Sequence, residues 1–193
     1  MKKAVLTFGL ISGVVATVLM LSTQLFMGRI GFDKGLIIGY TSIVLSFLLV
    51  YFGIRSYREN IGGGEITFGR ALSVGILITL ISTLFYVVTW EVIYFGFKFD
   101  FCEKYSTYMV EKAINSGASQ QAIEVVRQQM REMKVMLDNP LLNAAFTFTE
   151  PFPVGLVITL ISAAILRKKR TTGDGLANES GYGTAQARTS DAN

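Results

Sequence analysis

Over most of this chain apolar residues neither alternate nor recur at the helical period. They fill long runs instead. Four such runs, residues 4–27, 36–54, 71–97 and 141–166, are uncharged or nearly so. A bilayer's hydrocarbon core is roughly 30 Å thick and an α-helix rises about 1.5 Å per residue, so about 20 apolar residues cross it. In lipid, backbone groups find no water, and a helix satisfies them within one segment. The pattern therefore predicts an all-α integral membrane bundle of four transmembrane helices, contained in residues 1–170.

Between the third and fourth runs the pattern changes. Residues 98–140 are too many for a structureless loop, and they divide at Ser116-Gly117, where glycine suits a helix C-cap. Beyond the division, Ile123, Val126, Met130, Met133 and Leu137 recur at steps of three and four, an amphipathic stripe. Phe101, Tyr105, Tyr108 and Met109 offer its complement before the division. This predicts a helical hairpin, closing on itself or lying on the bilayer surface. Residues 171–193, rich in Gly, Ser, Thr, Ala and Asn, have no apolar face and read as a disordered tail.

Basic residues orient the spans. Arg167-Lys168-Lys169-Arg170 follows the last run directly, and Lys2, Lys3, Arg55, Arg58 and Arg70 also abut helix ends on that side. On the other side, Arg127, Arg131 and Lys134 lie well inside the long connection. Both termini are expected in the cytoplasm, with the hairpin extracytoplasmic. The first run is longer than a signal peptide's apolar region of about 7–15 residues, so it reads as a retained helix.

Composition narrows the functional classes. The chain has 193 residues, 51% hydrophobic and 17% charged, with no room for a separate soluble enzyme domain. Its net charge of +4 sits at span ends and is no sign of nucleic-acid binding. Histidine, the commonest general base and metal ligand, is absent, and Cys102 is the lone cysteine. Gly62-Gly63-Gly64 lacks the lysine and hydroxyl of a phosphate-binding loop and reads as a turn, with Thr67 as N-cap of the third span. Met130, Met133 and Met136 largely follow the apolar stripe, so they read as packing rather than a copper site. No enzyme, cofactor or metal is expected.

Small residues at four-residue spacing mark the faces where membrane helices approach closely. Gly9, Gly13 and Thr17 do so in the first span; Gly31, Gly35 and Gly39, then Ser42 and Ser46, enter the second. Gly75 and Thr79 recur in the third, and Gly155, Thr159 and Ala163 in the fourth. The helix-packing residues are thus Gly9, Gly13, Gly35, Gly39, Gly75 and Gly155, within the chain or between copies. Residues 74–82 also match 154–162 at most positions, with opposite polarity across the membrane. Inverted repeats occur in transporters, but a match this short fits common selection on packing faces.

Glu91 and Glu150 are the acidic residues within the spans, and intramembrane ionisable groups are functional candidates by default. Counted along ideal helices, both approach the outer boundary, where they would meet if spans three and four are neighbours. Pro151 and Pro153 would break the helix beside Glu150 and free carbonyls, as at transporter cation or proton sites. The plainer alternative is an interfacial belt of Trp90, Tyr94, Phe95, Phe97 and Phe152, with Pro151 starting a helix.

Several separate stretches resemble a bacterial membrane family. They are Ile30-Gly31-Phe32-Asp33-Lys34-Gly35, Phe52-Gly53-Ile54-Arg55-Ser56-Tyr57-Arg58, Gly63-Gly64-Glu65-Ile66-Thr67-Phe68-Gly69-Arg70-Ala71, and Asn139-Pro140-Leu141 through Glu150-Pro151-Phe152-Pro153. In this order they look like domain-of-unknown-function family 4199, small multi-span proteins, over about residues 1–170. The resemblance implies an inner-membrane location in a Gram-negative bacterium and no particular activity. Two readings follow. One is a structural, accessory or partner-binding protein of the bilayer, alone, with a membrane-protein partner or as a homo-oligomer. The other is a small transporter or channel using Glu91 and Glu150.

Overall fold

In the computed structural model, residues 2–97 and 100–168 are described. The expected tail, 171–193, lies outside them. Seven α-helices follow in order: α1 Lys2–Ile30, α2 Phe32–Asn60, α3 Phe68–Glu91, α4 Phe101–Asn115, α5 Gln120–Leu137, α6 Pro140–Phe148 and α7 Pro151–Leu166. A π-helical turn, Val92–Gly96, extends α3. Four helical segments are long and apolar enough to span a membrane: α1, α2, α3 with its π turn, and α6 with α7.

Residues 28–35, between the first two apolar runs, are helical except at Gly31. α1 and α2 are each 29 residues long and meet at Gly31 alone, whose φ of 79° makes the reversal. Asp33 instead enters the first turn of α2, where an acid complements the helix dipole. At its other end α2 runs past residue 54 to Asn60, helped by the Arg55–Glu59 pair at 2.8 Å. Residues 61–67 then connect it to α3, whose N-cap Thr67 accepts from the Arg70 amide.

Viewed along its axis the bundle is a rhombus. α2 and α3 form the short diagonal, and α1 and α7 each pack on both of them from opposite sides. The aliphatic core, with Val50, Ile54, Val74 and Ile78 inaccessible, lies in the half nearer the α2–α3 connection. There Arg58 donates to the carbonyl of Leu166 at the end of α7, and Ile66 and Lys168 form an isolated β-bridge.

Polar seams join the helices. Ser12 Oγ donates to Ser46 O and Ser46 Oγ to Ser12 O, both at 2.9 Å, binding α1 to α2. Thr17 and Thr89 hydroxyls meet at 2.9 Å between α1 and α3, and Thr79 and Thr159 at 3.0 Å between α3 and α7. Such bonds contribute about 0.6 kcal/mol each in a membrane. Their larger value is to fix register between smooth apolar surfaces.

The small-residue faces sort into two kinds. A Cβ on Gly9 would lie 2.9 Å from Ile81, on Gly13 2.7 Å from Phe85, and on Gly75 2.5 Å from Thr159. On Gly155 it would lie 2.5 Å from Thr79, and on Gly35 2.5 Å from Met27. Gly39 departs from the packing expectation: a Cβ there meets nothing within 4 Å, and the residue lines a cavity. Gly53, which the small-residue spacing did not mark, packs closely too, with Ile78 2.5 Å and Phe8 3.0 Å from its Cβ position.

α4 and α5 pack on each other as the hairpin, divided at residues 116–119. Gly117 takes φ 74° after α4, and Ser119 Oγ caps α5 by accepting from the Ala122 amide. Ile123 and Leu137 of the stripe are buried. The end of α5 joins Tyr94 and Cys102 in a second core with Trp90, Phe101 and Met133.

Candidate functional site

The fourth apolar run folds as two helices rather than one. Asn139 caps α6, its Oδ1 accepting from the Leu141 and Leu142 amides, with Pro140 at the first position. α6 ends at Phe148, and α7 restarts at Pro151. Pro151 has no amide hydrogen to donate back to Thr147, whose carbonyl accepts instead from Glu150 N at 3.4 Å. Pro153 likewise offers Thr149 no donor. The break thus presents Glu150 sideways, toward α3.

Tyr86 meets it there, its hydroxyl donating to Glu150 Oε2 at 3.1 Å. One turn further along α3, Trp90 Nε1 donates to Asn143 Oδ1 at 3.0 Å. Asn143 is wholly buried; its Oδ1 also accepts from Thr147 Oγ1, and its Nδ2 donates to Leu137 O at 2.9 Å. This one side chain ties α3, the end of α5 and α6 together. A satisfied buried amide of this kind rigidifies the wall it belongs to.

That wall closes one side of a cavity of about 410 Å³, bounded elsewhere by the second half of α1, the first half of α2 and the hairpin. Aromatic and thioether side chains dominate it, among them Tyr40, Trp90, Tyr105, Phe146, Met20 and Met133. Polar groups are few: Glu150, Gln24, Ser42 and three threonines besides the tyrosine hydroxyls. Gln24 Oε1 is buried with no hydrogen-bond partner among the described residues. No lysine or arginine among the described residues lines the cavity.

Glu91 does not share this site. It is five residues past Tyr86, about 140° round the helix, and is not on the cavity wall. Its Oε1 is buried without a partner among the described residues. Of the two glutamates expected to meet, only Glu150 lines the cavity. Among the described residues neither glutamate forms an ion pair.

The hairpin lies over the α1–α2 turn. Phe32 packs edge-on to Tyr105 with centroids 5.5 Å apart and touches the Tyr108 ring at 5.0 Å. Lys112 Nζ donates to Asp33 Oδ1 at 2.7 Å and to the Tyr108 hydroxyl at 3.1 Å. The bond to Asp33 is the main cause holding the Lys112 pKa above its ordinary value, with that to Tyr108 next. Sequence reasoning missed Tyr86, Asn143 and Gln24. The usable signal was a carboxamide inside an otherwise apolar run, which is costly unless it has a purpose.

The molecule is an all-helical protein with four helices suited to a membrane and a cavity at a broken helix. Residues 7–168 match the model of DUF4199, described as a protein of unknown function, and the chain belongs to that family. No curated protein and no solved structure matches it.

Proposed function

We propose that the chain is a multi-pass inner-membrane protein, not an enzyme, that binds a small molecule within its bundle and serves as an accessory or sensor component. Both termini face the cytoplasm and the hairpin faces the periplasm in this reading, supported by the basic residues crowded at the ends of α1, α2, α3 and α7. The observation that carries it is the cavity of about 410 Å³ with Glu150 at the helix break. Its volume falls in the range of roughly 300–1,000 Å³ typical of ligand pockets, and its apolar walls with a few convergent polar groups are typical too.

Transport is the second reading, favoured by the discontinuous fourth span, since broken helices beside an acid build transporter sites. Against a channel stands the other half of the bundle. There Ser12, Val50, Ile54, Ile78 and Thr159 are inaccessible, and the described side chains fill the way from the cavity toward the α2–α3 connection. Binding therefore needs no rearrangement of that half, whereas passage does.

Gly39 supplies the test, because it lines the cavity and a Cβ there meets nothing within 4 Å. Protein purified in native lipid and analysed by native mass spectrometry should carry a small-molecule adduct that Gly39→Phe loses while keeping its fold. Identical spectra for the two proteins would refute the binding reading.

A further inference from the structure

We infer that the cavity takes an amphipathic organic cation, an amine on an aromatic or alkyl body, with its ammonium group at Glu150. This rests on the binding reading above and specifies its ligand. Charge comes first. Among the described residues Glu150 is the only carboxylate on the wall, no basic side chain lines it, and the carboxylate's one side-chain hydrogen bond comes from Tyr86. A carboxylate in apolar surroundings is stabilised most by an opposite charge that also donates hydrogen bonds.

Hydrogen-bond inventory points the same way. The indole of Trp90 is committed to Asn143 and the hydroxyl of Tyr86 to Glu150. The acceptors this leaves free include the remaining capacity of the carboxylate and Gln24 Oε1, unpartnered among the described residues, and they suit a ligand that donates. Tyr40, Tyr86, Trp90 and Tyr105 add ring faces, which attract ammonium groups through their quadrupoles. Methionines at positions 20, 27 and 133 supply adaptable apolar surface for the body of the ligand. A hard metal ion fits poorly, because calcium takes about six to eight oxygens and the wall offers one carboxylate. An anion would meet the Glu150 charge with nothing to offset it.

Trp90 is the only tryptophan in the chain and lies on the cavity wall, so its emission reports occupancy without a label. Phenylbutylamine, phenylbutanol and phenylbutyrate have one shape and differ in charge. Each is titrated into full-length protein in nanodiscs, with protein-free discs measuring partition into lipid. The amine should bind at least about tenfold tighter than the alcohol, and the carboxylate least. Glu150→Gln should erase the preference for the amine, and Glu91→Gln should leave it intact.

Equal binding of amine and alcohol overturns the cation inference while leaving the cavity reading standing. A preference unchanged in Glu150→Gln overturns the assignment to that carboxylate. If none of the three perturbs Trp90, both readings fail together. The comparison among ligands uses the wild-type chain, so it decides the matter even if Glu150→Gln does not fold.

Discussion

Replacing Gly155 by alanine tests the packing logic where it is tightest. The new Cβ would lie 2.5 Å from Thr79 Cγ2 and 2.8 Å from the Phe47 ring, well inside van der Waals contact. Neither neighbour yields easily. Thr79 is held by its hydroxyl bond to Thr159 at 3.0 Å, and Phe47 is buried in the core. Alanine gains about 1 kcal/mol over glycine in helix propensity, and overpacking a filled site costs about 1–3 kcal/mol. The net should be a loss of up to about 2 kcal/mol, centred near about 1 kcal/mol, read as reversible unfolding in mixed micelles. The same gain without the clash applies at Gly39, so Gly39→Ala should equal or exceed the wild type. Thr79→Ser removes the offending methyl but keeps the hydroxyl, and in the double variant with Gly155→Ala it should recover part of the loss. If Gly155→Ala is as stable as wild type, or Gly39→Ala is the more damaging, the reasoning fails.

Val135→Cys in a Cys102→Ser background should react with a membrane-impermeant thiol reagent from the periplasm, since Val135 is 75% exposed; reaction from the cytoplasmic side alone would reverse the proposed topology. Cys102 itself is 5% exposed, its Sγ 3.3 Å from the Tyr94 hydroxyl, and in folded wild-type protein should react far more slowly than the thiol introduced by Val135→Cys. Asn143→Leu strands the Trp90 indole and the Leu137 carbonyl, and should cost about 1–3 kcal/mol with a shift in Trp90 emission; an unchanged midpoint and spectrum would contradict its structural role. For the exposed Lys112–Asp33 pair, a raised lysine pKa means its contribution is present below the ordinary 10.5 and lost as pH climbs through the higher folded value. Lys112→Met should therefore lower the thermal midpoint slightly at neutral pH, less in high salt, with the difference vanishing only in strong alkali.

The four long apolar helices were legible because a run of apolar residues of bilayer length has one good solution in lipid. The hairpin was legible from a stripe and a glycine, and its tip fell where Gly117 takes its positive φ. What eluded the sequence was azimuth. Counting residues at a fixed rise gives depth, so Glu91 and Glu150 were brought to one level, but rotation about α3 depends on which neighbour each face meets. Gly39 failed for a similar reason. Small-residue spacing marks where a close approach is permitted, and at Gly39 the cavity leaves the permission unused. Tyr86 and Asn143 acquire their roles only when the break at Pro151 turns Glu150 toward α3.

The short internal repeat finds its explanation in the seam between α3 and α7. Gly75 abuts Thr159, and Gly155 abuts Thr79, at the same 2.5 Å from the Cβ position, with the two threonine hydroxyls bonded midway. Residues 75 and 79 correspond to 155 and 159 in the repeat, so each contact is the image of the other. An antiparallel pair whose halves see the same surroundings is an isologous interface, related by a local two-fold axis across the helices. Each helix must then offer a gap for the partner's threonine methyl and a hydroxyl for its partner's. That constraint alone writes a glycine and a threonine four residues apart into both stretches of sequence, with apolar residues between. A transporter repeat relates several helices and encloses its site; here the symmetry stops at one pair, and the cavity lies beyond it, where Pro151 and Glu150 have no counterparts in α3. The repeat therefore belongs to the closed half of the bundle, as a clamp that holds α7 to α3 up to the point where the helix breaks.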